Sequence, residues 1–285
     1  MDRVESLSEP ALFLICGPTG VGKSTLSDHL TRELALRMKD DMESNPDLLH
    51  KVYAEAVYIP GRGFDWDGLF RSLLRDASDI LIDRKVSRSV WPLQINNRSG
   101  LEDAVNQMLL HRKPRVCIID EGGAFLESGS DETLLKIIGY LKSLSNRSRT
   151  HFVILGDYRL AKMTSFSGQL NRRCLFQHFA NYPGGSESAF QKIVSDFECR
   201  MRECGIEADI TPAATMLFEQ TCGCVGLLKR SLEESWIATK SKGTVVDKSV
   251  LESTRFPKGA VEKWRAEIVQ GYRLIQDYVR GHESQ

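Results

Sequence analysis

Apolar residues along the chain fall into two kinds of pattern. Ala11 to Cys16 (ALFLIC) is a short continuous run that stops at a glycine, as a strand buried on both faces would. From about Lys23 to Met38, Leu26, Leu30, Leu34 and Met38 recur every four residues and predict a helix with one apolar face. A polar, acidic stretch over 39–50 follows, with a turn at Asn45-Pro46. A second strand is expected over Val52 to Ile59, before the breaker run Pro60-Gly61-Arg62-Gly63. Helices are expected over Asp67 to Ile82 and Leu101 to His111, with Trp91 to Gly100 as a loop between them. Arg115 to Ile119 reads as a buried strand, Asp131 to Ser145 as a helix, Phe152 to Leu155 as a strand, and Leu175 to Phe179 as the last one.

After Pro183-Gly184-Gly185 the pattern changes and only helices are expected, over Ser186 to Cys204, Pro212 to Cys222, Val225 to Ser241 and Lys258 to Arg280. Thr211-Pro212 has the form of an N-cap followed by proline in the first turn. Alternating strands and helices followed by helices alone predict an α/β parallel-sheet domain over residues 1–183, a small all-helical lid over 184–257, and a C-terminal helix and tail over 258–285. The last helix carries Trp264, Ile268, Tyr272, Ile275 and Val279 on one stripe, suited to packing on the lid or docking a partner. No internal repeat or low-complexity tract interrupts this plan.

Composition narrows the class. With 41% hydrophobic and 27% charged residues, the 285-residue chain has the profile of a folded protein. No apolar run approaches the roughly 20 residues that span a bilayer, and the start, MDRVESLSEP, has no apolar signal core, so no membrane role is expected. Seven scattered cysteines, an odd number, suggest a reducing cytoplasmic setting and not a disulfide framework. Lys+Arg and Asp+Glu balance at 38 each, which excludes a wholesale basic coat and leaves room for local basic patches.

The chemistry concentrates at strand ends. Gly17-Pro18-Thr19-Gly20-Val21-Gly22-Lys23-Ser24, continued by Thr25, fits the phosphate-binding pattern G-x-x-x-x-G-K-[ST]. Glycines let backbone N–H groups turn toward phosphate oxygens, and the new helix points its positive end at the same anion. Lys23 would reach the terminal phosphates and Ser24 would ligate Mg²⁺. Val116-Cys117-Ile118-Ile119-Asp120-Glu121 supplies the partner motif: an apolar strand delivering Asp120 to the metal and Glu121 to the attacking water. The adjacent glutamate favours hydrolysis over transfer to a bound acceptor, and so argues against a P-loop phosphotransferase.

Further candidates are looser. Asp157, after the strand at 152–155, sits where a residue could sense phosphate or water, but an acid there must point away or meet a cation. Arg172 and Arg173 are placed to reach a neighbouring copy's nucleotide in a ring or filament. Lys229 or Arg230, in the helix opened by Gly223-Cys224-Val225-Gly226, could close over the nucleotide from the same chain. Two stretches are locally basic. Residues 84–115 carry seven Lys/Arg, among them Arg98 and Lys113, against two acids. Residues 140–162 carry five, among them Lys142, Arg147 and Arg149, against one. Such residues are DNA-contact candidates whose few contacts per subunit would multiply in an oligomer; for any one of them taken singly, a solvated charged face is the better reading.

GPTGVGKST, CIIDE, FVILGD, LNRRC and GCVGLLKRSLEESW, in that order, resemble the AAA+ ATPases, and more closely the transposition regulators of the TnsC/TniB kind, which are also similar to MuB and IstB. The resemblance covers residues 11 to about 243. It implies a P-loop AAA+ sheet with a helical lid, ATP and Mg²⁺ as cofactors, and an ATPase that oligomerises as a ring or helical filament on double-stranded DNA. It further implies a link between a target-selector protein and a transposase, with hydrolysis driving disassembly. Another AAA+ DNA-handling switch, such as a helicase loader, and a nucleotide-gated interaction module with little hydrolysis are the alternatives. The chain departs from the pattern at Gly156-Asp157, where a small neutral polar residue is usual, and at Gly122-Gly123, after Asp120-Glu121.

Overall fold

The computed structural model describes residues 9–77, 98–128, 130–164, 174–240 and 244–283. They divide into two compact units, one drawn from 1–16, 24–178 and 274–285, the other from 17–23 and 179–273.

The first unit is built on five parallel strands: β1 (Leu12–Cys16), β2 (Lys51–Glu55), β5 (Val116–Asp120), β6 (His151–Gly156) and β7 (Cys174–His178). Their order across the sheet is β2-β5-β6-β1-β7. Every residue of β5 and β6 is buried, while the edge strands β2 and β7 are partly exposed. Central strands covered on both faces need apolar residues at every position, which is why their runs are continuous in sequence.

Alternate residues of each strand serve opposite faces. Leu12, Leu14, Cys117, Ile119, Phe152 and Ile154 pack on one side with three helices: α3 (Trp66–Asp76), α4 (Arg98–Arg112) and α5 (Asp131–Ser148). Phe13, Val116, Ile118, Val153 and Leu155 face Leu30 and Leu34 of α1 (Lys23–Arg37) on the other. Leu274 and Ile275 also pack on the first of these cores. Caps define the helix starts: Asp65 accepts from the Gly68 amide before α3, and Ser130 accepts from the Thr133 amide before α5.

Several local expectations are corrected. A short helix, α2 (Lys39–Ser44), occupies the first half of the polar, acidic stretch, where no helix was expected; it buries no residue, so no apolar period marks it. The second strand stops at Glu55. Beyond it the chain forms a separate antiparallel pair, β3 (Tyr58–Ile59) with β4 (Gly63–Phe64), turning over Pro60 to Arg62. α3 ends at Asp76, with Ala77 as its C-cap; the rest of the expected helix lies outside the described residues, as does most of the expected loop at 91–100. α4 already begins at Arg98. Two 3₁₀ segments, Gly122–Ser128 and Tyr158–Thr164, follow β5 and β6.

The second unit is helical: α6 (Glu187–Glu203), α7 (Ala214–Thr221), α8 (Val225–Lys240), α9 (Lys248–Ser253) and the first part of α10 (Lys258–Glu283). Phe190 and Val194 of α6, Leu217 of α7, Leu228 and Leu232 of α8 and Leu251 of α9 share one core. Strand structure is not absent here, contrary to expectation. Ala208–Asp209 (β8) and Val246–Asp247 (β9) form a two-residue parallel pair. Thr211 does not cap a helix with its own side chain. It opens a 3₁₀ turn (Thr211–Ala213), and Glu198 of α6 does the capping: one carboxylate oxygen accepts from the Ile210 amide at 2.9 Å and from the Thr211 amide and hydroxyl at 2.7 Å each. A second cluster joins Val21, Cys224, Leu227, Phe256 and Ile268 with Trp264 and Tyr272, so these three residues of the α10 stripe pack internally.

Candidate functional site

The carboxyl edge of the sheet collects the acidic candidates. Glu55 at the end of β2 pairs in register with Asp120 at the end of β5, and Cys16 at the end of β1 pairs with Gly156 at the end of β6. Asp120 is buried. Its Oδ1 accepts from the Glu121 amide at 2.8 Å, and Ser24 at the head of α1 donates its hydroxyl to Oδ2 at 3.5 Å. Two residues 96 positions apart therefore present a hydroxyl and a carboxylate to the same point. Such hard oxygen donors suit Mg²⁺. Glu121 turns the chain out of the strand with a left-handed backbone (φ +54°) and leaves its side chain exposed to water. Tyr53 of β2 lies close enough to feel both acids. Burial first, then the charge of Asp120, raises its phenol well above the usual range.

Asp157 meets a cation. Arg159 Nε lies 3.1 and 2.9 Å from its two carboxylate oxygens, and Nη2 lies 2.8 Å from Oδ2. The same guanidinium donates through Nη1 to Glu127.

In the second unit, the turn between β1 and α1 is a tight loop. Gly20 (φ +73°) and Gly22 (φ +112°) hold backbone conformations that side chains resist. Lys23 Nζ donates to the carbonyls of Gly17 at 2.9 Å and Pro18 at 3.0 Å, folding back over its own loop. The start of α8 closes on the loop: the Leu227 amide donates to the Gly20 carbonyl at 3.0 Å, and a Cβ on Gly226 would sit 2.6 Å from that oxygen. Glu267 of α10 accepts from the Thr19 amide at 2.9 Å and the Thr19 hydroxyl at 3.1 Å, so an anionic group already hydrogen-bonds to the loop. Burial, followed by the charges of Cys222 and Glu267, pushes the Cys224 thiol up to about 12, with Lys23 pulling the other way.

The remaining candidates are scattered. Lys229 lies 3.7 Å from Glu233, and Arg230 lies 2.9 Å from Glu234 and stacks over Phe256, so both side chains are engaged along α8. Arg172 and Arg173 lie outside the described residues. Lys113 precedes β5, while Arg147 and Arg149 end α5 just ahead of β6; all three are exposed at the amino edge of the sheet, the end opposite Asp120. Arg98 starts α4 at the other end of that helix and stacks on Trp66, and Lys142 lies part-way along α5. Sequence reasoning missed Glu267, Glu127 and the role of Arg159. Only Arg159 left a local signal, a basic residue two places after an unexplained acid.

No helix among the described residues is long and apolar enough to cross a membrane. A comparison with curated proteins finds no match. Among solved structures, Cdc6p from Pyrobaculum aerophilum superposes with a TM-score of 0.51 at 16% identity, over 81% of this chain and 56% of that one. The chain thus spans little more than half the length of that neighbour. A Walker-type ATPase of Pyrococcus abyssi superposes with a TM-score of 0.51 at 13% identity, over 99% of this chain and 73% of that one. At these identities the likeness concerns the fold, a parallel sheet flanked by helices with further helices after it. The model of the AAA domain matches residues 6–164, more than half of the 285 positions. The glycine-lined loop, the Ser24–Asp120 pair and that match together make this chain a member of the AAA domain family of P-loop ATPases.

Proposed function

We propose that this chain is an ATP-dependent switch that assembles on double-stranded DNA and regulates transposition, linking a target selector to a transposase. The observation that carries the nucleotide part is the Ser24 hydroxyl beside the buried Asp120 carboxylate. In this reading Gly17 to Thr25 cradle the phosphates, and Ser24 and Asp120 hold Mg²⁺. The metal, when bound, would screen phosphate charge and polarise the terminal phosphoryl group. Lys23 swings from the Gly17 and Pro18 carbonyls to the phosphates. Glu121, exposed at the strand end, takes the proton of the attacking water. Arg172 or Arg173 of a neighbouring copy supplies positive charge, and Lys229 or Arg230 acts only after leaving Glu233 or Glu234.

The DNA part draws on the TnsC/TniB resemblance and on the amino edge of the sheet. There Lys113, Arg147 and Arg149 put exposed positive charge away from the Walker residues, so backbone phosphates and nucleotide would not compete. Arg98 and Lys142 are not part of that cluster. A neutral chain then binds duplex through many weak phosphate contacts repeated along an oligomer, with steep salt dependence and little sequence preference. Electron microscopy and sedimentation of the chain with duplex DNA test this. DNA-dependent rings or filaments are expected with ATP, and none without nucleotide or in Lys23→Ala. Equal assembly under all three conditions would refute the switch.

A further inference from the structure

The acid at the tip of β6 is the least expected feature of the proposed site. Strand β6 lies between β5, which ends in Asp120, and β1, which leads into the phosphate loop. Gly156 is in register with Cys16, so Asp157 emerges at the same edge. A bare carboxylate there would repel a triphosphate more than a diphosphate, because the former carries more charge.

Arg159 addresses that charge directly. Its guanidinium engages both Asp157 oxygens, and its own amide donates to Oδ1 at 2.8 Å. Nη1 spans to Glu127 in the 3₁₀ segment that follows Glu121. Hydrogen bonds donated to Asp157 and Glu127 raise the guanidinium further above its already high range. The glycine pair after Glu121 belongs to the same arrangement. A Cβ on Gly123 would lie 2.9 Å from Arg159 Nη2 and 3.1 Å from Asp157 Oδ2, and one on Gly122 would lie 2.4 Å from Ile154 Cγ2. With no side chain at Gly123, the guanidinium lies against the loop without having to shift. Gly123 of one departure from the family pattern and Asp157 of the other therefore share one contact, while Gly122 lies against Ile154.

We propose that Arg159 is a positioning residue that neutralises Asp157 and ties the tip of β6 to the segment behind Glu121, so that the site admits a nucleoside triphosphate. The proposal rests on the nucleotide-binding reading above. Its test is titration of the full-length chain with magnesium ATP and magnesium ADP, comparing wild type, Arg159→Gln, Asp157→Asn and the double variant, at low and high salt. Arg159→Gln should lower ATP affinity relative to ADP by about tenfold or more, as expected for an uncompensated charge near the terminal phosphate. Raising the salt should shrink that gap. The double variant should regain the wild-type ATP-to-ADP ratio, because the charge that needed compensation is gone. A purely structural Arg159 would affect both nucleotides alike and would not be rescued by Asp157→Asn; either result overturns the proposal. Should Arg159→Gln fail to fold, Arg159→Lys with and without Asp157→Asn gives the same comparison, with a smaller gap. Wild type that binds neither nucleotide would sink the nucleotide site and this proposal with it, whereas normal wild-type binding without the charge effect sinks Arg159 alone.

Discussion

Replacing Gly226 with alanine sets two physical arguments against each other. Gly226 is the second residue of α8, and its φ is not in the left-handed region. Helix propensity alone makes the change favourable by up to about 1 kcal/mol. Packing says otherwise. The new Cβ would stand 2.6 Å from the Gly20 carbonyl oxygen and 3.1 Å from its carbon, about 0.8 Å inside the 3.4 Å at which ordinary contact begins. Both obstacles are backbone, so they cannot rotate away. The start of α8 must retreat, stretching the 3.0 Å bond from the Leu227 amide to Gly20 and loosening the cluster of Leu227, Val21 and Cys224. Overpacking of this kind costs about 1–3 kcal/mol and the weakened hydrogen bond about 0.5–1.5 kcal/mol, which together exceed the propensity gain. A net loss of about 0.5–3.5 kcal/mol follows, with the phosphate loop displaced at Gly20. Thermal melting with and without magnesium ATP reads both effects. The variant should melt lower than wild type without nucleotide and should gain less from nucleotide, since ligand stabilisation scales with affinity. A variant that melts higher and keeps the full nucleotide shift would refute the argument that α8 closes on the loop through bare backbone.

Two further predictions concern stability. Glu198→Ala removes the acceptor of the buried Ile210 amide and the half-buried Thr211 amide and should cost about 1.5–4.5 kcal/mol in denaturant unfolding, since a stranded buried donor costs about 1–3 kcal/mol and a lost hydrogen bond about 0.5–1.5 kcal/mol; a loss below about 0.5 kcal/mol would show that the cap is dispensable. His151 accepts the Ala11 amide through Nδ1, which requires a neutral ring, and burial followed by the charge of Arg115 lowers its pKa to about 4. Because the folded value lies below the unfolded value of about 6.5, the contribution is complete above pH 6.5 and is lost as pH falls toward 4. His151→Gln should flatten that part of the stability profile, and an unchanged slope between pH 6.5 and 4 would contradict a buried neutral ring.

What could be read from sequence divides along a physical line. Strands β1, β5 and β6 were legible because burial on both faces demands an unbroken apolar run, and each run is too short for a buried helix. α5 was legible because a wide apolar face against the sheet imposes its period. α2 left no such trace, since none of its residues is buried, and β8 with β9 is a pairing across 36 intervening residues or more that no local pattern encodes. β2 was over-extended because Ala56 and Val57 continue its apolar character after the sheet pairing has ended at Glu55. The helix start at 211 was legible in place but not in cause: the threonine and proline mark it, whereas the capping oxygen comes from Glu198 on another helix.

The site follows the same logic. Residues 17–25 announce themselves because every requirement of a phosphate cradle is local: turn-forming glycines, a lysine and a hydroxyl within one loop. Asp120 and Glu121 are legible once that loop has been found, because an apolar strand ending in two acids has a role only beside it. The Ser24–Asp120 contact, the hold of Glu267 on Thr19 across 248 positions and the closure of α8 on Gly20 depend on tertiary placement, which composition and period do not carry. Asp157 is the instructive intermediate case. Electrostatics alone required a cation beside an acid at that strand end, and Arg159 lay two residues on. The requirement could be stated from sequence; the partner, and the glycine at Gly123 that makes room for it, needed the fold. An acid that breaks a motif therefore directs attention to the nearest residue that can cancel its charge, and here that residue also contacts the segment that follows Glu121.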